Sequence, residues 1–75
     1  MKFLAIYTYT RGGEWFETFE AENKIEADRH AWHVSRFTPE FATGCFDLYR
    51  INYSPMSGNH VLSRVELPYA RRGGV

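Results

Sequence analysis

One cysteine, Cys45, stands in a chain of 75 residues. No internal disulfide can form, which argues against the stapled scaffolds that let many secreted chains of this size fold. Charge of either sign is not in excess: nine basic and nine acidic side chains cancel. A general nucleic-acid binder carries a basic surplus to displace counterions, and an acidic nucleic-acid mimic needs the opposite, so both classes are disfavoured. Long apolar runs are missing too. The stretch Phe3 to Tyr7 is far too short to cross a bilayer and no small-residue cleavage site follows it, so it reads as a first strand. Prolines number only three, Pro39, Pro55 and Pro68, and each falls at an expected break between elements.

What the chain does have is aromatic area. Phe, Tyr and Trp make up 17% of the residues. Each ring buries a large surface, and this compensates for the limited core of a small domain. Phe3 to Tyr9 and Trp15 to Ala21 are rich in strand formers, and Thr10-Arg11-Gly12-Gly13 supplies the turn between them, so the pair is predicted to be a hairpin. Asn23 is a good N-cap with Glu26 three residues on, a capping-box spacing. A helix is predicted over Lys24 to Phe37. Its buried side is expected to hold Ala27, His30, Ala31, Val34 and Phe37, with Thr38-Pro39 ending it. Glu40 to Gly44 reads as a loop and Phe46 to Tyr53 as a third strand. Ser54 to Asn59 forms a turn cluster and Val61 to Leu67 a fourth strand. The expected fold is α+β: a mostly antiparallel four-stranded sheet with one helix on one face, in the order β-β-α-β-β. Residues 1–68 form the single domain and 69–75 a flexible C-terminal tail.

Reactive side chains do not assemble. His30, His33, Cys45 and His60 lack the tight local pairs of structural zinc sites. Cys45 has no base with a third group to orient it, and Glu17 and Glu20 point to opposite faces of their strand. No metal, no cofactor and no catalytic set is expected. Arg11-Gly12-Gly13 lacks the spacing of a phosphate loop. Arg71-Arg72-Gly73-Gly74 resembles the tail of ubiquitin-like modifiers, a remote alternative resting on four residues.

The expected chemistry is that of a binding surface. Ile25, Arg29, Trp32 and Arg36 project opposite to Ala27 and Val34. Trp and Arg are the residues most enriched at interface hot spots. If the sheet covers only the alanine side, this cluster stays in solvent, and Trp32→Ala should leave the fold nearly intact. The rival expectation is that Leu67 to Tyr69 folds over Trp32. The sheet's uncovered face is expected to carry several of Tyr7, Tyr9, Tyr49, Tyr53 and Arg50. Such a surface suits protein recognition or, with Arg11 and Arg64, base stacking.

Several residues carry a resemblance. Phe16-Glu17 opens the second strand and Ala21-Glu22 precedes the helix. Glu26-Ala27 begins the helix, and Ala31-Trp32 continues it. Asp47-Leu48-Tyr49-Arg50-Ile51-Asn52 forms the third strand. Over a little more than half of its length the chain resembles small phage-encoded inhibitors, among them the T-odd phage inhibitors of host RNA polymerase and several anti-CRISPR proteins. The resemblance implies a compact protein that occupies a surface of a host machine in the host cytoplasm. Arg50 stands where that family has the first of two polymerase-contacting arginines, and Asn52 stands at the second. The expected function is a phage or prophage inhibitor that sterically blocks a host complex, a CRISPR effector or RNA polymerase, through Ile25, Arg29, Trp32 and Arg36 and through Arg50 with Tyr49 or Tyr53. Alternatives are a nucleic-acid-binding accessory domain and a homodimeric structural module. No membrane partner is expected.

Overall fold

A computed structural model of the chain describes residues 1–66. The elements are β1 (Lys2–Tyr9), β2 (Glu14–Glu20), α1 (Lys24–Phe37), β3 (Phe41–Ser54) and β4 (Asn59–Arg64). The strands form one sheet in the order β2-β1-β3-β4, and every pairing is antiparallel. The fold is therefore the α+β arrangement expected, with one helix on a four-stranded sheet. Leu67, Pro68, the 69–75 tail, the Arg-Arg-Gly-Gly run and the suggested cover over Trp32 lie outside the described residues.

Local chemistry sets the helix ends. The Asn23 side chain accepts from the Glu26 backbone N–H at 2.9 Å, satisfying one of the orphan donors of the first turn. At the other end the Thr38 N–H bonds the Val34 carbonyl and Thr38 turns extended ahead of Pro39. Arg36 in the last turn sits favourably against the negative end of the helix dipole.

Period-two alternation sorts the sheet. Phe3, Ala5 and Tyr7 of β1 oppose Phe19, Glu17 and Trp15 of β2 on one side, and Arg50, Leu48 and Phe46 of β3 on the other. Opposed residues share a face, so all of these lie on the side that α1 covers. Phe3, Ala5, Tyr7, Phe41, Phe46, Leu48 and Val65 are buried there with Ala27 and Ala31 of the helix. The small alanines let the helix approach the strands closely. Tyr7 stacks on Phe41 with ring centroids 4.9 Å apart, so the core is built largely from rings.

Two expectations are corrected. The segment 40–44 is not a loop: β3 begins at Phe41 and runs 14 residues. Between Tyr7 and Tyr9 the β1–β3 register slips, so that Tyr7 faces Phe46 while Tyr9 faces Phe41. Gly44, at φ +78, lies in this irregular stretch, where a positive φ suits glycine. Second, the helix is turned relative to the expected side. Ala27 and Ala31 are buried as expected, but Asp28 and Ser35 join them, while His30 is exposed and Phe37 is 68% exposed. Ser35 explains the rotation. Its hydroxyl donates to the Trp32 carbonyl at 2.9 Å and accepts from the Gly44 N–H at 3.0 Å. The irregular strand leaves a backbone donor unpaired under the helix, and a polar helix residue is turned inward to meet it.

Candidate protein-docking site

The outer side of α1 carries a shallow groove of about 260 Å³ lined by Ile25, Asp28, Arg29, Trp32 and His33. Ile25 is 62% exposed at one rim. Arg29 forms another part of the lining, its guanidinium held by Glu26 at 2.8 Å. A pair three residues apart on a helix face fixes that side chain's direction but adds little stability in the open. Trp32 is half-buried and packs against the core cluster. Its ring lies against Gly44, where an added Cβ would stand 2.9 Å from Cζ3. Trp32 therefore serves both the fold and the groove. The expectation that Trp32→Ala leaves the fold nearly intact is accordingly revised, because the indole caps the irregular stretch of β3.

Asp28 was not singled out in the sequence, and it is the most unusual group here. It is only 4% exposed, and its Oδ1 has no hydrogen-bond partner among the described residues. Burial pushes its carboxyl up from 3.8 to about 6. The folded state thus keeps the proton longer than the unfolded chain does, so this group's contribution to stability is fully present below about pH 4 and is lost as pH rises through about 6. Asp28→Asn is expected to raise the melting temperature at pH 7. The gain should shrink as pH falls towards 4, and melting both proteins across that range checks it. A cue was available: an acidic residue one position after Ala27 and three before Ala31 falls beside the alanine stripe.

The other expected residues lie elsewhere. Arg36 continues the outer stripe beyond the groove, its guanidinium 5.5 Å from the Phe37 ring centroid. Arg50 opposes buried Phe3 on the helix side of the sheet, whereas its neighbours Tyr49 and Tyr53 point to the open face. Arg50 therefore does not share a face with either tyrosine. Tyr7, expected on the open face, is fully buried, and Tyr9 packs against the core at Phe41. Of the five residues expected on the open face, only Tyr49 and Tyr53 are there. The Arg64 guanidinium lies 5.9 Å from the Tyr49 ring centroid while pairing with Asp47 at 2.8 Å.

Beneath β2, the Tyr7 hydroxyl donates to Glu17 Oε1 at 2.6 Å, and His30 Nε2 meets the same oxygen at 3.0 Å. His30 also packs on the Phe19 ring at 4.2 Å. Burial first, then the hydrogen bond and charge of Glu17, push the Tyr7 phenol far above its ordinary value. A phenol this buried and this reluctant to ionise fastens β1 to β2 and the helix. Among the described residues no group of three His, Cys, Asp or Glu side chains could hold a metal ion. No helix among them is long and apolar enough to cross a membrane. Compared with known proteins, the chain matches no family, no curated protein and no solved structure.

Proposed function

We propose that this protein is a small phage-type inhibitor that binds a host protein complex and blocks it sterically, with the α1 groove as its principal contact. The observation that carries the reading is the groove: exposed Ile25, half-buried Trp32, an oriented Arg29 and the buried Asp28 carboxyl lie side by side on one rigid helix. Apolar anchors beside a pinned arginine are the composition of interface hot spots. A helix presents them with little conformational entropy left to lose on docking. The resemblance of residues 16–52 to phage inhibitors supplies the class of partner, a CRISPR effector or RNA polymerase of the host. Arg50, uncovered by any ion pair among the described residues, offers a second contact on the helix side of β3.

The test is direct binding to purified bacterial RNA polymerase and to purified CRISPR effectors, paired with transcription and DNA-cleavage assays. The chain is expected to bind one of these and to slow its reaction. Ile25→Glu is expected to weaken that binding by at least about tenfold, because a charge replaces an apolar anchor at the groove rim. Its melting temperature should stay within a few degrees, since the side chain is largely solvated. Unchanged affinity in Ile25→Glu and Arg29→Glu, both folded, would overturn the groove as the contact. Binding to none of these complexes would overturn the class.

A further inference from the structure

Neither packing nor helix formation accounts for Asp28. Aspartate is a poor helix former, and this one lies past the first turn of α1, where the helix dipole would favour an acid. Only 4% of it is exposed, and its Oδ1 is closed off without a hydrogen-bond partner. Buried acids are ordinarily paired, because an unanswered carboxylate is far costlier to bury than a neutral group. Cations stand close in sequence and on the strand beneath, yet none among the described residues answers that oxygen. Arg29, the next residue, gives its guanidinium to Glu26 at 2.8 Å. Lys24, one turn earlier, and Arg50, on the helix side of β3, are not bonded to it. His33 stacks on the Phe37 ring, centroids 5.7 Å apart.

The same carboxyl lines the α1 groove, forming its floor while Ile25 stands exposed at the rim. Pockets for small-molecule ligands run from about 300 to 1,000 Å³. At about 260 Å³ the groove falls below that range and suits one inserted side chain. Its walls are apolar at Ile25 and Trp32, and its floor is acidic. Arg29 and Glu26 cancel, which leaves Asp28 to set the sign of the charge there. Burial pushes its carboxyl up only to about 6, so at pH 7 it is mostly an anion. Lysine and arginine match this layout, with an apolar stem ending in a cation. A tryptophan ring beside the site favours the cation further. The broad terminal torsion of an aspartate lets it turn an oxygen outward at little cost.

We propose that the α1 groove is a socket for one basic side chain, a lysine or arginine presented by the protein partner, with its charged head on Asp28 and its stem along Ile25 and Trp32. This rests on the reading of the groove as the docking site and adds the chemistry that the partner must carry. Surfaces that hold nucleic acid are rich in such side chains, so a nucleic-acid-handling machine offers suitable ones.

Titrating Nα-acetyl-lysine amide and Nα-acetyl-arginine amide into the full chain at pH 7, each to about 20 mM, tests the socket and tells the two side chains apart. Nα-acetyl-norleucine amide is the uncharged control. Magnetic resonance of the Trp32 indole N–H and the Asp28 carboxyl carbon reports occupancy. At least one basic amide is expected to shift both signals with a Kd of about 1–10 mM, and the control to bind at least about tenfold more weakly. Asp28→Asn keeps the shape, removes the charge and is expected to be the more stable protein at pH 7, so a lost response cannot be ascribed to unfolding. Its affinity for the basic amide should fall at least about tenfold. No response to either basic amide, an equal response to the control, or an undiminished response in Asp28→Asn overturns the proposal. So does a site that responds only once Arg71 and Arg72 are both changed to Ala, since this chain's own cations then fill it. Failure of the docking reading looks different. A host complex that binds Asp28→Asn as well as the parent but rejects Ile25→Glu keeps the groove as the contact and removes the socket. Basic amides that bind by way of Asp28, with no host complex bound, keep the socket and remove the inhibitor class.

Discussion

Phe46→Ala is expected to destabilise the protein by about 3–5 kcal/mol, the cost of removing a buried ring and leaving a cavity that the surroundings only partly fill. Phe46 is 1% exposed, opposes Tyr7 across the central strand pair and contacts its ring. A domain of this length holds roughly 4–11 kcal/mol in all. The substitution therefore consumes about a quarter of the stability at the least, and where the total is near the lower end it consumes nearly all of it. Urea unfolding followed by circular dichroism would measure it. A loss under about 1 kcal/mol would mean that the aromatic core is not organised around Tyr7, Phe41 and Phe46.

Gly44→Ala is expected to cost about 2–4 kcal/mol for a quite different reason. Nothing is removed; a methyl group is added where backbone and neighbour both refuse it. A side chain at φ +78 costs about 1–2 kcal/mol, and the new Cβ would stand 2.9 Å from Trp32 Cζ3. The Trp32 ring cannot retreat freely, because it is packed against the core and its own carbonyl is bonded by Ser35. A double-mutant cycle separates the two contributions. With Trp32→Leu in place, the steric part should vanish and the backbone part should remain. Strict additivity of the two substitutions would show that the ring does not press on Gly44.

These two expectations mark the boundary between what the letters carry and what they hide. The helix was legible end to end, because Asn23 and Thr38-Pro39 are local signals that need no tertiary context. The β-β-α-β-β order was legible for the same reason. The buried side of the helix was legible only in part. Apolar periodicity selected Ala27, Ala31 and Val34, which do pack against the core, but also His30 and Phe37, which are exposed, and it passed over the buried Ser35 and Asp28. Ser35 is buried for its hydroxyl, which satisfies a backbone N–H in a strand nine residues away, and no pattern within the helix encodes that need. The start of β3 was hidden because Gly44 looks like a loop residue until the irregular pairing is known. Of the site, Ile25, Arg29 and Trp32 were identified and do share a groove. Asp28 was missed because a lone acid on a helix is usually solvated. Arg50 was grouped with Tyr49 although adjacent strand residues must part to opposite faces.

The strand order has a kinetic consequence. β1 lies at the centre of the sheet, yet one of its neighbours is local and the other distant: Phe3 pairs with Phe19 and also with Arg50. On a ribosome the first hairpin can close early, while the opposite edge of β1, with Phe3 and Tyr7, waits for most of the chain to emerge. Non-local pairing of this kind raises contact order and delays the step that completes the core. An apolar strand with an unpaired edge is meanwhile a template for the wrong neighbour. Crowding of nascent chains should therefore harm the yield of this protein more than its equilibrium stability would suggest, and slowing its translation should help.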